Sequence, residues 1–181
     1  RATESARPHP ERRGSAIDVT ALLDPCPVEC DPRRVDRILR NLIDNAVEHG
    51  EGHPIDVTVG GDGEAVAVTV RDHGVGLSDD DIAHVFDRFW RADPARARTT
   101  GGTGLGLSIA LEDTRLHAGW LEAWGSPGEG ACFRVTLPCR ADVTLERSPL
   151  PLVPADAGDE DPAEPDPAEE IPASDAAEAR T

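Results

Sequence analysis

The chain has 181 residues, enough for one domain with a core plus appendages, and a formal net charge of −17. That acidity makes nucleic acid a poor partner. All 18 basic residues are Arg, so phosphate contacts must come from Arg, His or backbone, and a phosphate-loop lysine is excluded.

Residues 1–15 are polar, rich in Arg and Pro, and read as a disordered segment. The stretch from Ile17 to Leu23 reads as a strand, with Val28 to Cys30 as a short extension. Asp31-Pro32 predicts a helix start, a capping carboxylate followed by Pro at the first helical position. Val35, Ile38, Leu39, Leu42, Ile43, Ala46 and Val47 then recur at helical spacing, and Gly50 closes the helix. Ile55, Val57 and Val59 alternate, as do Val66, Val68 and Val70, with Gly60-Gly61-Asp62-Gly63 between them as a hairpin turn. Ser78 caps a predicted second helix carrying Ile82, Val85, Phe86 and Phe89. Residues 92–103 lack an apolar period and read as a loop. A third helix is expected from about Leu105 to His117, ended by Gly119. Strands near Leu121–Trp124 and Ala131–Leu137 follow.

This pattern predicts an α+β fold, a two-layer sandwich of a mainly antiparallel sheet covered by about three helices. The predicted domain spans residues 16–139. From Arg140 onward twelve acidic residues stand against three Arg, with repeated Pro and Ala. That composition reads as a disordered acidic tail over 140–181, since it buries too little apolar surface to offset ordering entropy. No run of about 20 apolar residues is present, so no membrane span or signal peptide is expected within these residues. The chain has no Met, which suggests a fragment or processed piece. Cys26 and Cys30 are spaced C-x3-C, while Cys132 and Cys139 lie far downstream. They read as reduced thiols rather than a zinc site or a disulfide.

Three stretches carry chemistry. Gly101-Gly102-Thr103-Gly104-Leu105-Gly106-Leu107-Ser108 sits where a loop turns into an apolar helix. Glycine permits close backbone approach and positive φ. The helix start offers free N–H groups and its positive dipole end to a phosphate. Asn41 and Asn45 lie four apart on the first long helix and share a face away from its apolar side. Asn is a poor helix former, so two in mid-helix need a reason. Their amide oxygens suit Mg²⁺, which takes hard oxygen ligands and keeps several waters. Asp72-His73-Gly74-Val75-Gly76 ends the central strand. Its carboxylate can accept a hydrogen bond from an exocyclic amine, and its glycines let a flat base approach the backbone.

Together these stretches resemble a known family. R-I-L-R-N-L-I-D-N-A (Arg37–Ala46) is similar to the asparagine box of sensor histidine kinases, and D-H-G-V-G (72–76) to their first glycine box. F-D-R-F-W-R (Phe86–Arg91) resembles the phenylalanine box, and G-G-T-G-L-G-L-S (101–108) the second glycine box. G-E-G-A-C-F-R-V-T-L-P (128–138) resembles the closing strand. The likeness covers residues 27–138 in the family's order. R-F-W-R-A-D-P-A-R and L-E-D-T-R-L-H-A-G-W-L-E-A-W-G further resemble an actinobacterial branch of these kinases.

The resemblance implies a Bergerat-type ATP-binding fold and phosphoryl transfer from MgATP to a histidine. Asn45 would be the Mg²⁺ ligand, and Asp72 would read the adenine amine with Gly74 and Gly76 shaping the base pocket. Gly102, Thr103, Gly104, Leu105 and Gly106 would wrap the phosphates. The loop between Phe89 and Gly101 would form a lid over ATP. Arg91 would face the triphosphate as a catalytic cation, with Arg96 and Arg98 as further lid candidates. His49 falls where the family places a His or aromatic residue near phosphate. Asn41 stands where related ATPases carry a Glu that activates water. An amide cannot take that proton, and a neutral imidazole needs no such base. Asn41 therefore favours transfer over hydrolysis.

The resemblance also implies partners. These are a histidine-bearing dimerisation domain of the same full-length protein and a downstream response regulator, with a homodimer expected only for the full-length protein. The expected location is cytoplasmic, the full-length protein being anchored in the cell membrane through segments absent here. Four departures stand out. Glu48 occupies a position where many members have Lys or Arg near phosphate, and Ala131 replaces a hydroxyl residue common near adenine. None of His9, His49, His53, His73, His84 and His117 sits in the family's phosphoacceptor motif, and the helix usual before the first strand is missing. Two other readings stay open: a degenerate nucleotide-binding regulatory module without kinase activity, and an anti-sigma-factor serine kinase.

Overall fold

The computed structural model describes residues 15–22, 27–92 and 103–157. Strand β1 (Ile17–Ala21) is followed by helix α1 (Pro32–His49), β2 (Ile55–Gly61), β3 (Ala65–Asp72), α2 (Asp79–His84), α3 (Gly106–Arg115), β4 (Trp120–Ser126) and β5 (Gly130–Pro138). The strands form one sheet in the order β1-β2-β3-β5-β4. β1 runs parallel to β2 because α1 crosses over between them, and every other pairing is antiparallel. The architecture is the expected α+β sandwich, with α1 and α3 on one face of the sheet.

Period-2 alternation sends Val57, Val70, Phe133, Val135 and Leu137 to the helix face. There they meet Ile38, Leu42 and Ala46 of α1 and Ala110 of α3. Each large side chain so buried contributes roughly 1.5–3 kcal/mol. Asp31 caps α1 by accepting from Arg33 N–H, with Pro32 at the first helical position. Ser78 and Asp81 form a reciprocal capping box on α2.

A charged clasp joins α1 to α3. Arg37 donates to both carboxylate oxygens of Asp113 at 2.6 Å, and Arg34 adds a third bond at 2.8 Å. The Asp113 side chain is only 3% exposed, and the Arg37 hydrogen bond holds its carboxyl below the ordinary value of 3.8. At the same end His117 takes Asp31 N–H on Nε2 and bonds the Asp113 carbonyl through Nδ1. Asp113→Asn is expected to cost about 2 kcal/mol in a urea melt at neutral pH, the scale of a hydrogen bond to a charged group. A carboxylate depressed in the folded state stabilises fully above its unfolded pKa, and that contribution fades as pH falls through the folded value. The gap between wild type and variant should therefore close below about pH 4.

Three expectations need correction. Val28 to Cys30 is not a strand extension; Glu29 N–H donates to the Cys139 carbonyl at 2.9 Å outside the sheet ladder. The second helix ends at His84 and does not reach Phe89. Val85 is buried and Phe86 packs edge-on against Phe133 with ring centroids 6.3 Å apart. Phe89 instead takes φ +65° and is 72% exposed. Its N–H leaves the helical ladder to bond the Gly104 carbonyl at 2.9 Å.

The third correction concerns the C-terminal boundary. The chain does not leave the domain at Arg140. Residues through 157 cross the outer face of the sheet, where Leu145 and Leu150 are buried. Residues 1–14 of the expected disordered segment 1–15, most of the 92–103 loop and the acidic run beyond 157 lie outside the described residues, while Ser15 is described and buried. Cys30 and Cys132 are free thiols, and burial pushes the Cys132 thiol up to about 11. Among the described residues no helix is long and apolar enough to cross a membrane.

Candidate nucleotide site

Asp72 ends the central strand of the sheet and is 1% exposed. Its Oδ1 accepts from Gly74 N–H at 3.0 Å and from Ala131 N–H at 3.3 Å. Its Oδ2 is buried with no hydrogen-bond partner among the described residues. Burial raises the Asp72 carboxyl above its ordinary value, and the two amides oppose that shift. An unpaired buried acceptor costs about 1–3 kcal/mol and is rare in native structures. One polar edge is thus fixed from below while the other waits for a donor.

The backbone around Asp72 leaves no room for side chains. A Cβ on Gly74 would lie 1.9 Å from the His49 carbonyl oxygen. Gly76 has φ +76°, and a Cβ there would lie 1.8 Å from the Ser126 carbonyl oxygen. Both glycines of the D-H-G-V-G stretch are therefore required by neighbouring backbone. Gly130, which sequence reasoning did not single out, is a third: φ is +81° and its Cβ would meet the Asp72 carbonyl oxygen at 2.1 Å. Its only sequence signal was the G-E-G run, which read as a strand entry.

Helix α1 carries Asn41, Asn45, Glu48 and His49 along the site. Asn41 faces the start of α3, its Oδ1 3.5 Å from where a Gly106 Cβ would stand, and its Nδ2 is buried with no hydrogen-bond partner among the described residues. Asn45 lies one turn further on and is half-buried. Gly104 takes φ +67° and leads into α3 through Leu105, which makes no side-chain capping bond. The other two helices are capped by side chains and α3 is not. Among the described residues, no N-cap side chain accepts from its first N–H groups. Thr103 is exposed beside them, while Gly102, Arg96 and Arg98 fall outside the described residues.

Glu48 resolves one departure. It does not project alone toward the site: its Oε1 accepts from Arg91 Nη2 at 2.9 Å, both side chains being partly buried. The acid that would repel a triphosphate is paired with the cation expected to attract it. Arg91→Ala should therefore weaken binding of an ATP analogue about tenfold, by removing a cation and uncovering Glu48. Adding Glu48→Gln to it should recover part of the loss, with a coupling of about 1 kcal/mol in the double-mutant cycle. Isothermal calorimetry reads both effects.

The fold and this site define a class. Residues 30–141 match the family described as "Histidine kinase-, DNA gyrase B-, and HSP90-like ATPase", and the chain belongs to it. It is an ATP-binding catalytic domain of the sensor histidine kinase type. Among curated proteins it is 53% identical over 144 residues to the sensor histidine kinase MtrB of Mycobacterium leprae, covering 80% of this chain and 26% of that protein. The chain thus spans about a quarter of the length of such relatives. Among solved structures, the mycobacterial sensor histidine kinase MprB superposes with a TM-score of 0.63 at 26% identity, covering 77% of this chain and 90% of that one. Full-length ShkA, solved in complex with AMPPNP, gives 0.65 at 27% identity, covering 82% and 30%.

Proposed function

We propose that this chain transfers the γ-phosphoryl group of ATP to a histidine on a dimerisation domain that belongs to the same full-length protein. The observation that carries this reading is the buried Asp72 Oδ2 with no hydrogen-bond partner among the described residues, followed in the chain by two glycines that backbone contacts require. An adenine amine is a donor of the right kind for that oxygen, and a flat base suits a wall without side chains. The uncapped start of α3 and the Gly104 turn supply N–H donors for the phosphates. Arg91, held by Glu48, supplies positive charge beside them.

The residues also fit Mg²⁺. The Asn45 amide is a hard oxygen donor. The described residues contain no cluster of three or more His, Cys, Asp or Glu side chains that could hold an ion. That donor set suits a metal whose remaining ligands are phosphate oxygens and water. When bound, Mg²⁺ would neutralise phosphate charge.

Asn41 sets the reaction. It packs against Gly106 and stands where the resemblance puts the water-activating Glu of related ATPases. Water is left unactivated, and an imidazole nitrogen is nucleophilic without help. What remains is positioning and charge stabilisation. A response regulator would receive the phosphoryl group downstream, and membrane anchoring would belong to segments outside this chain.

The test supplies a histidine-bearing dimerisation fragment in trans with MgATP and measures acid-labile, base-stable phosphohistidine. Wild-type chain should label the fragment and Asp72→Asn should not. Equal behaviour of the two, or labelling of serine on an antagonist protein instead, overturns the proposal.

A further inference from the structure

On β2, β3 and β5 the face of the sheet turned away from α1 and α3 is built mostly from small and polar residues, and β4 adds Trp120 and Trp124 at its edge. Across three strands, Gly60 of β2, Ala67 of β3 and Thr136 of β5 stand in one cross-strand row. Small residues in register leave a trough, and Ala67 and Thr136 are nonetheless fully buried. What covers them is the chain's own segment 143–157. Leu150 fills the notch over Gly60, so close that a Cβ there would meet it at 2.7 Å. Ser148 Oγ bonds Thr136 Oγ1 at 2.8 Å. Arg134, itself held by Glu122, donates to the Leu150 carbonyl. Arg147 reaches Asp62 at the β2–β3 turn, 3.4 Å away.

The strap ends at the strand that carries the nucleotide site. Asp156 lies 3.6 Å from Arg71, the residue before Asp72. Arg71 is buried, its guanidinium stacks on Trp124 with 4.9 Å to the ring centroid, and its Nε and Nη1 have no hydrogen-bond partner among the described residues. Asp156 is the carboxylate the structure pairs with this desolvated charge. Loss of a partner from a buried charge is costly, so release of the strap would disturb Arg71 and, through one peptide unit, Asp72.

We propose that this outer face is a binding groove for an extended leucine- and proline-rich segment, filled in this chain by its own residues 143–157, and that the strap tunes nucleotide affinity by holding the β3 end. The second half of this statement rests on the nucleotide-binding reading of Asp72; the first half does not. The occupant is committed by what sits there: two buried leucines, a carbonyl taken by Arg134, and an aspartate six residues beyond Leu150 aimed at Arg71.

The experiment uses the full chain with Leu150→Ser and Asp156→Ala, which weakens the strap without shortening the protein. A fluorescein-labelled peptide of residues 143–157 is titrated against wild type and variant by anisotropy. The variant should bind it saturably, and wild type should not, because a tethered segment competes at a high effective concentration. Gly60→Val added to the variant should abolish peptide binding by filling the notch, while circular dichroism reports that the domain stays folded. The variant's Kd for a non-hydrolysable ATP analogue should rise about fivefold, the lower range of coupling between sites, and saturating peptide should restore it. Absence of peptide binding, or a dimer formed by strap exchange, overturns the groove in cis. Peptide binding with an unchanged nucleotide Kd overturns the coupling alone. If wild type itself binds no nucleotide, the nucleotide-binding reading fails, and the peptide arm still decides the groove.

Discussion

Asp72→Asn is expected to weaken binding of an ATP analogue about a hundredfold while the domain stays folded. The substitution is nearly isosteric, so the effect comes from hydrogen-bond polarity. Oδ1 accepts two backbone amides, from Gly74 and Ala131, and Oδ2 is the buried oxygen without a partner. An Asn can keep its carbonyl on the two amides, but its NH₂ then faces the adenine amine, donor against donor. Turned over, the carbonyl meets adenine and the NH₂ confronts two N–H groups. Either arrangement loses a charge-assisted bond and leaves buried donors opposed, about 3 kcal/mol in all. Folding in the absence of nucleotide should suffer less, because neutralising a desolvated carboxylate offsets part of the loss. Calorimetry with the analogue and a thermal melt separate the two; equal binding by variant and wild type would remove Asp72 from the base site.

Gly76→Ala should be the most damaging of the single glycine substitutions in the first glycine box. Its φ of +76° alone costs a β-carbon about 1–2 kcal/mol. The added carbon would also stand 1.8 Å from the Ser126 carbonyl, which is backbone and cannot turn aside. The turn between β3 and α2 would have to open, and the Val75 carbonyl would lose its bond from Gly128 N–H. A loss of at least about 3 kcal/mol follows, a drop in Tm of roughly 10 °C. Gly52→Ala is the control, since its φ is +88° but no atom lies within 4 Å of the added carbon. It should cost about 1 kcal/mol. Similar melts for both variants would show that backbone crowding at Gly76 is not what demands glycine.

Much of the site was legible in the chain because its chemistry is local. Asn41 and Asn45 share a helix face by spacing alone, and Asp72 with Gly74 and Gly76 form a strand end followed by a turn. Alternation in Ile55, Val57 and Val59 and in Val66, Val68 and Val70 placed two strands, and Asp31-Pro32 and Ser78 placed two helix starts. In each case the determining contact lies within a few residues, so local stereochemistry is sufficient.

Tertiary structure decided what joins distant residues. Glu48 read as a repulsive acid until Arg91, 43 positions away, proved to hold it. The Ala131 amide reaches Asp72 across 59 positions, through backbone that no side-chain motif encodes. Phe89 followed the helical period yet left the helix, because bonding to Gly104 closes the loop that joins them. The C-terminal boundary was the largest difference. Composition read everything after Arg140 as a solvated tail, since charge and proline dominate its average. Yet Leu150 seats over Gly60 and Ser148 bonds Thr136, on the row into which three strands align Gly60, Ala67 and Thr136. Short-range pattern specified most elements and the residues of the candidate site in this protein. Cross-strand register and the pairing of remote charges decided which groups meet at that candidate site and how residues 143–157 lie on the sheet.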